Sequence, residues 1–187
     1  MKINKSQRSN IIFLVIIVLL IIPQTRKPIQ IVLHKGLALF SPSVESVENR
    51  ETIKFEDWKL QDINGNIINF KDLEGKVTLL NFWATWCPPC VAELPYIKDL
   101  NADYKDKIEI ILVSNESANK VQSFLKAKGF ELNSYMPLSE YPNAFDISSI
   151  PRTFLIGKNG AIAIDKTGAA NWNSDAVRQQ IEVLLKE

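Results

Sequence analysis

Apolar residues follow two different patterns along the chain. Near the N-terminus, residues 11–22 form one uninterrupted apolar run, IIFLVIIVLLII, which Pro23 closes. From residue 53 onward, short apolar runs alternate with segments in which apolar side chains recur every three or four residues. Short runs are typical of buried strands, and the spaced segments are typical of amphipathic helices. The pattern therefore predicts an apolar N-terminal segment followed by a compact α/β domain over residues 51–187.

Turn residues divide the predicted domain into elements. Asn64-Gly65 and Asn159-Gly160 are tight-turn dipeptides between alternating segments, so each predicts a hairpin. The predicted strands cover residues 55–60, 67–70, 77–83, 108–113, 153–156 and 161–164. The predicted helices cover residues 88–103, 118–128 and 174–186. Gly129 is expected to end the second helix and Ser174 to cap the third, whereas residues 135–142 are expected to be irregular.

The N-terminal pattern predicts a membrane segment. Residues 1–10 are polar and basic and lead directly into the apolar run at 11–22, an order shared by signal anchors and secretory signal peptides. The run is shorter than the roughly 20 residues that span a bilayer core. No small-x-small cleavage site lies within a few residues of Pro23, so an uncleaved signal anchor is favoured. Its basic end would be cytoplasmic and the rest of the chain exported. A buried core helix is disfavoured because the run has no amphipathic face.

Residues 23–50 connect this predicted anchor to the domain. Pro28–Phe40 is partly amphipathic, which fits either an interfacial helix on the outer leaflet or an apolar juxtamembrane stalk. Residues 41–50 are expected to form a flexible linker because they begin with Ser-Pro-Ser and lack an apolar period. The domain boundary is accordingly predicted near Glu51.

Charge excludes one class of function. The net charge of the 187 residues is +1, and no basic stripe is present, so the sequence does not predict nucleic-acid binding. The charge is uneven, since residues 1–49 hold six Lys and Arg against two Glu. A basic leader before a mildly acidic domain is consistent with a membrane-targeted protein.

The chain has two cysteines, Cys87 and Cys90, at a predicted strand-to-helix junction. Two are too few for a disulfide scaffold, and the single histidine, His34, is distant in sequence, so a structural zinc site is not expected. Val91 follows Cys90, which excludes a Cys-x-x-Cys-His haem attachment site. Redox chemistry and an inert structural disulfide both remain open. A helix N-terminus would favour a thiolate at Cys87.

Three stretches carry a resemblance to a known family: NFWATWCPPC at residues 81–90, Ile150-Pro151 with Thr153, and the Asn159-Gly160 turn. Over residues 53–187 the chain resembles the thioredoxin superfamily. It is most similar to the membrane-anchored TlpA/ResA/CcmG group of extracytoplasmic thiol–disulfide oxidoreductases. The resemblance implies an α/β fold with a central mixed sheet flanked by helices, an added N-terminal β-hairpin, and a preceding membrane anchor.

The resemblance also implies roles for individual residues. Cys87 would be the attacking sulfur, and Cys90 the resolving thiol. Pro151 matches the cis-proline of the superfamily, and the backbone of Ile150 would pair with the substrate chain. Trp86 adjoins Cys87 and would line the substrate groove, although packing at the rim is the alternative.

Glu93 and Asn81 mark a departure from thioredoxin itself. Thioredoxin has a buried aspartate at the position of Asn81, and an asparagine cannot titrate. Glu93, three residues after Cys90, would therefore act on the pKa of Cys90 or transfer its proton. The alternative is a first-turn glutamate that complements the helix dipole.

The predicted function is a reductase of disulfides in exported proteins, without cofactor or metal. The resemblance implies protein dithiols and disulfides as substrates, such as apocytochrome c, and a membrane thiol as electron donor. No histidine stands between the two cysteines, unlike in the Cys-Pro-His-Cys of DsbA-type proteins, which favours a reductant. A redox-linked metal-handling module and a tethered interaction domain without turnover are the alternatives. The first is disfavoured because residues 51–187 contain no histidine.

Overall fold

One mixed sheet of seven strands forms the centre of the computed structural model, which describes residues 4–145 and 147–187. The strands are β1 (Lys59–Asp62), β2 (Ile67–Asn69), β3 (Thr78–Phe82), β4 (Glu109–Val113), β5 (Tyr135–Pro137), β6 (Arg152–Ile156) and β7 (Ile162–Thr167). Their order is β2-β1-β5-β4-β3-β6-β7. Strand β3 pairs in parallel with β4 and antiparallel with β6, which makes the sheet mixed.

Five helices accompany this sheet among the described residues. They are α1 (Lys5–Ile21), α2 (Pro23–Leu37), α3 (Pro88–Tyr104), α4 (Ala118–Lys128) and α5 (Asp175–Lys186). Gly129 ends α4 in the left-handed conformation, with φ of 68°. The Ser174 hydroxyl accepts a hydrogen bond from the Val177 amide and caps α5. Both helix ends therefore confirm the sequence prediction.

Strand β3 is buried along its whole length and separates two parts of the core. Successive strand side chains point to opposite faces, so Leu79 packs with the residues beneath α3 and α5, whereas Leu80 packs in the other cluster. That second cluster is aromatic, with ring centroids of Trp58, Phe82 and Phe145 between 5.8 and 6.2 Å apart. The apolar surface on both faces holds β3, and the loop that follows it, in a fixed position.

The structure confirms the predicted mixed α/β sheet with its N-terminal hairpin and differs from the predicted elements in two places. The first strand begins at Lys59 rather than at residue 55, and residues 135–137 form β5 instead of an irregular segment. Strand β5 pairs with β1 on one side and with β4 on the other. Its backbone is thus satisfied by long-range hydrogen bonds, which no local pattern of three residues could reveal. Asp146, within the segment leading to Ile150, lies outside the described residues.

The N-terminal apolar run is helical. It lies within α1, and its N-terminus is closed by a capping box between Asn4 and Gln7. Within residues 4–145 and 147–187, no individual helix is long and apolar enough to cross a bilayer. Gln7–Leu19 and Gln24–Gly36 meet that criterion only as a pair, with a bend of 92° between them. The first three residues of the basic leader lie outside the described part of the chain.

Residues 38–53 lie against the domain rather than forming the flexible linker that the sequence predicts. The Asn171 amide donates to the Phe40 carbonyl at 2.9 Å, and the Glu45 amide donates to the Ala163 carbonyl at the same distance. Ile53 continues this pairing through a 3.0 Å bond to the Gly160 carbonyl. These partners belong to β7 and its flanking turns, at the edge of the sheet, where backbone groups are free to pair. Contacts with the domain therefore begin before the predicted boundary at Glu51.

Candidate active site

The cysteine pair lies where β3 gives way to α3. Cys87 is the N-cap residue of α3, and Pro88 and Pro89 occupy its first turn, where a missing amide hydrogen costs no helical bond. Cys87 and Cys90 form a disulfide with an S–S distance of 2.03 Å. The Cys90 amide donates to Cys87 Sγ at 3.2 Å. A free amide hydrogen and the positive end of the helix dipole thus both point at Cys87, which favours negative charge on its sulfur once the disulfide is reduced.

Access to the disulfide differs between its two sulfurs. Cys87 is 3% exposed and Cys90 is fully buried, so Cys87 is the one that an incoming thiol or disulfide can approach. Trp86 is 57% exposed immediately beside it. The side chain of Trp86 lines a small cavity of about 140 Å³ together with Trp83, Tyr141 and Ile150. Trp86 thus lies exposed at the rim of this cavity, next to Cys87.

The Ile150-Pro151 segment faces the disulfide. The peptide bond between these residues is cis, as the resemblance implies. The Ile150 carbonyl oxygen lies 3.7 Å from Cys87 Sγ. A disulfide sulfur carries no hydrogen, so in the oxidised protein this is a contact and not a hydrogen bond. A reduced Cys87 thiol could donate a hydrogen bond to the same oxygen. Sequence positions 87 and 150 are therefore brought together as predicted.

Glu116 holds the loop that leads to Cys87, and sequence reasoning did not identify it. Its carboxylate accepts hydrogen bonds from the Thr85 amide at 2.6 Å and from the Thr85 hydroxyl at 2.9 Å. Burial opposes ionisation of Glu116, but hydrogen bonds from Lys120 and Thr85 outweigh it and lower its pKa. The position of Glu116 in the sequence could have identified it, because Glu116 lies just after β4 and Thr85 lies just after β3. The ends of neighbouring parallel strands lie at the same edge of a sheet.

Glu93 is fully buried on α3, one turn beyond Cys90. One carboxyl oxygen accepts from Asn81 Nδ2 at 2.8 Å. The other accepts from the Trp172 indole nitrogen at 3.0 Å and from the Ala170 amide at 3.2 Å. Burial raises the pKa of Glu93 to about 8 although these three hydrogen bonds favour the ionised form. A carboxyl with this pKa can bind or release a proton near neutral pH, unlike an exposed glutamate.

This environment excludes one of the two interpretations of Glu93. A glutamate that complements the helix dipole lies in the first turn and near solvent, but Glu93 lies in the second turn and is sealed in the core. The helix-dipole interpretation is wrong for that reason. Trp172 and Ala170, which sequence reasoning missed, come from the segment after β7. Their approach to Glu93 depends on tertiary packing and has no local signal.

Asn81 connects Glu93 to the strand that follows Pro151. Its amide nitrogen donates both to Glu93 and to the Thr153 hydroxyl, the latter at 2.6 Å. Asn81 Oδ1 is buried without a hydrogen-bond partner among the described residues. Because Asn81 does not titrate, Glu93 is the acid that this arrangement supplies behind the disulfide. In the part of the chain that the structure describes, no three His, Cys, Asp or Glu side chains are grouped as metal ligands.

Known proteins resemble this chain in sequence and in structure. The AhpC/TSA family profile matches residues 53–164. The thiol-disulfide oxidoreductase ResA of Bacillus subtilis is 38% identical over 112 residues, which cover 58% of this chain and 63% of that protein. ResA of Bacillus cereus is 31% identical over 158 residues, which cover 81% and 87%. For ResA of Oceanobacillus iheyensis the match covers 55% of the relative, so for some relatives the similarity spans less than two thirds of their length.

A solved structure shows the same relationship. A candidate thiol:disulfide interchange protein DsbE from Chlorobium tepidum superposes with a TM-score of 0.62 and is 27% identical, covering 72% of this chain and 97% of that one. The family profile covers more than half of the chain, and the B. cereus relative is matched over most of its length. The chain therefore belongs to the AhpC/TSA family of thioredoxin-like proteins, among the relatives of the ResA thiol–disulfide oxidoreductases.

Proposed function

We propose that this protein is a thiol–disulfide oxidoreductase that reduces disulfides in exported proteins, with Cys87 as nucleophile and Cys90 as resolving thiol. The observation that carries the proposal is the Cys87–Cys90 disulfide at the N-terminus of α3, opposite the cis Ile150–Pro151 bond. Relatives matched over most of their length are named thiol-disulfide oxidoreductases, which supports the same activity.

The reaction begins with the reduced protein. The Cys87 thiolate attacks one sulfur of a substrate disulfide, so a Cys87–substrate disulfide forms while the substrate S–S bond breaks and one substrate thiolate leaves. Cys90 then loses its proton and attacks Cys87 Sγ, which releases the second substrate thiolate. The substrate gains two electrons and takes up two protons, one released by Cys90 and one from solvent, and the protein is left as the Cys87–Cys90 disulfide. A dithiol donor must reduce that disulfide before the next cycle.

Glu93 is proposed to accept and return the proton of Cys90. Its pKa of about 8 lies close to that of a cysteine thiol, so proton exchange between the two groups is nearly balanced. The Glu93 carboxyl is held in place by its three hydrogen-bond donors, which are Asn81, Ala170 and Trp172. Glu93 follows Cys90 by about one turn of α3 and is fully buried, which supports proton exchange with Cys90 rather than contact with the substrate.

The substrate chain is proposed to lie along Ile150 and Trp86. An extended segment can pair with the backbone of Ile150, which also touches Cys87 Sγ. Trp86 offers an exposed aromatic surface at the other side of the same sulfur. The absence of a histidine between the cysteines favours a potential nearer thioredoxin, about −270 mV, than DsbA, about −120 mV.

The N-terminal segment is proposed to anchor the protein with its active site outside the cytoplasmic membrane. The support is the apolar run at residues 11–22 behind a basic leader, and its helical conformation in α1. In that location the proposed partners are a membrane thiol that supplies electrons and exported proteins that receive them, including apocytochrome c.

Reduction of insulin tests the activity. With dithiothreitol as the electron source, the full-length protein is expected to precipitate insulin B chain faster than dithiothreitol alone, and Cys87→Ser is expected to match the uncatalysed rate. Equal rates with and without the protein would instead favour a tethered domain without turnover. Trapping with Cys90→Ser in the native host would then identify the substrate, because the mixed disulfide at Cys87 could not be resolved.

A further inference from the structure

A cleft of about 520 Å³ opens beside the disulfide, on the side of Pro89 and Pro151. The lining residues that bear on its chemistry are His34, Phe40, Pro89, Ile150, Pro151 and Lys166. The size lies within the range of about 300–1,000 Å³ that ligand sites occupy. One wall comes from the N-terminal segment, which is far from the cysteines in sequence.

Packing and hydrogen bonds hold that wall in place. Helix α2, which carries His34, packs against the active-site helix α3. Ala38 is fully buried at the end of α2, and the Phe40 carbonyl accepts from the Asn171 amide at 2.9 Å. The Ser41 and Ser174 hydroxyls are hydrogen-bonded at 2.7 Å. This N-terminal wall is therefore a fixed part of the cleft and not a flexible linker.

The ionisable side chains that line the cleft are basic. Among the described residues that line it, His34 and Lys166 can carry charge, and none is a carboxylate. The nearest acidic neighbour in sequence, Asp165, is paired with Arg152 at 2.6 Å. The N-terminal segment adds to this imbalance, since no Asp or Glu precedes Glu45 in the sequence. A complementary ligand carries negative charge.

The apolar part of the cleft indicates a polypeptide. Phe40 is 72% exposed at its rim, and Pro89 and Pro151 form an apolar floor. Ile150 also belongs to the lining, and its carbonyl touches Cys87 Sγ, so the cleft is continuous with the point of attack. A chain whose cysteine is attacked at Cys87 has its neighbouring residues at this cleft.

We propose that this cleft selects substrates with an acidic side chain close to the cysteine under attack, and that Lys166 and His34 are the residues that recognise the carboxylate. The inference rests on the proposed oxidoreductase function and adds a substrate class to it. Lys166 is half-buried, so its ammonium group pairs with a carboxylate in surroundings less screened than bulk water.

The test compares disulfide-bonded peptides that differ in a single residue. Glu, Gln or Lys is placed at each of the three positions before and after the cysteine, and kcat/KM is measured with the purified full-length protein. At one or two positions the Glu peptide is expected to be reduced about threefold to fivefold faster than the Lys peptide, the range for one partly exposed ion pair. Lys166→Gln should abolish the preference, and Lys166→Glu should reverse it.

Controls separate recognition from folding and from general charge. Lys126→Glu makes the same change of charge at an exposed site on α4 and should leave the preference intact. The Gln peptides measure basal activity, which Lys126→Glu should leave unchanged. His34→Gln should reduce the preference without reversing it.

Two results would overturn the inference while leaving the proposed function standing. One is equal kcat/KM for Glu and Lys peptides at every position, with the Gln peptides still reduced. The other is loss of binding to anionic phosphatidylglycerol vesicles in Lys166→Glu with peptide preference unchanged, which would make the cleft a lipid site. Failure to reduce any peptide would overturn the proposed function itself.

Discussion

Burial and hydrogen bonding act in opposite directions on the Glu93 carboxyl. Burial raises its pKa, whereas bonds from Trp172, Asn81 and the Ala170 amide lower it, and burial prevails to give a pKa of about 8. The sequence predicted that Glu93 matters, because Asn81 cannot titrate. It could not predict the opposing donors, since Trp172 approaches from a segment 79 residues away.

The first prediction concerns the kinetics of Glu93→Gln. Because glutamine cannot take a proton from Cys90, release of the substrate from the mixed disulfide should slow by about a hundredfold, the lower end of the range for general base catalysis. Attack by Cys87 should be unchanged. Rapid-mixing experiments that resolve the two steps provide the measurement, and unchanged rates in both would exclude the role.

The raised pKa of Glu93 also predicts how stability depends on pH. Glu93 binds its proton more tightly in the folded protein, where its pKa is about 8, than in the unfolded chain, where its pKa is 4.5. Protonated Glu93 therefore makes its full contribution to the free energy of unfolding below about pH 4.5. This contribution, on the order of a few kcal/mol, is lost as pH rises towards 8. Thermal unfolding of the oxidised protein between pH 5 and 9 measures this, because the disulfide cysteines do not titrate.

Two variants provide the comparison for that measurement. Glu93→Gln should remove this component of the pH dependence. Trp172→Phe keeps an aromatic ring but removes a donor that favours ionised Glu93, so the decline should extend to higher pH. A Glu93→Gln protein that retained the full decline would contradict the assignment.

At the scale of elements, local signals predicted what local interactions determine. Helix α4 ends at Gly129 and α5 begins after Ser174 because each terminus is set by one residue and its own backbone. Strand β5 and residues 38–53 were not predicted, since their hydrogen bonds come from distant strands. Short segments that complete a sheet edge carry little information in their own sequence.

Two glycines allow a matched test of how firmly residues 51–53 are held. A Cβ on Gly160 would lie 2.2 Å from the Ile53 carbonyl oxygen, whereas one on Gly129 meets nothing within 4 Å. Both have positive φ, so alanine is strained at either position. Gly129→Ala should cost about 1 kcal/mol, and Gly160→Ala at least about 2 kcal/mol more, from the added clash. Urea unfolding measures both, and equal losses would show that the 51–53 contact is easily displaced.

For the whole molecule, the sequence predicted the order of elements and the family, which the matched relatives confirm. It did not predict that α2 packs against α3 or that His34 lines a cleft with Pro151. Those contacts follow from the 92° bend after the apolar run, which turns the N-terminal segment back onto the domain. Pro23 marks the position of the bend, since the residue before a proline disfavours helix, but the packing of α2 against α3 has no local signal.

Membrane attachment can be tested with charge. Leu14→Arg with Ile16→Lys introduces two charges into the apolar run, each costing about 2.5–3.5 kcal/mol at a membrane centre. The variant should move from the carbonate-resistant membrane fraction to the supernatant. Val47→Lys, at an exposed site outside the run, is the control and should remain with the membrane. Extraction of the unmodified protein by carbonate would contradict the anchor.

Cys87 is proposed to attack the substrate and Cys90 to resolve the mixed disulfide, and mass spectrometry of a trapped intermediate separates the two roles. Purified Cys90→Ser and Cys87→Ser proteins are reduced, mixed with a disulfide-bonded peptide, quenched with acid and digested. A single peptide adduct on Cys87 is expected in Cys90→Ser within seconds, and little or no adduct is expected in Cys87→Ser over the same time. Equal adduct formation at Cys90 in the Cys87→Ser protein, or no adduct on Cys87, would contradict it.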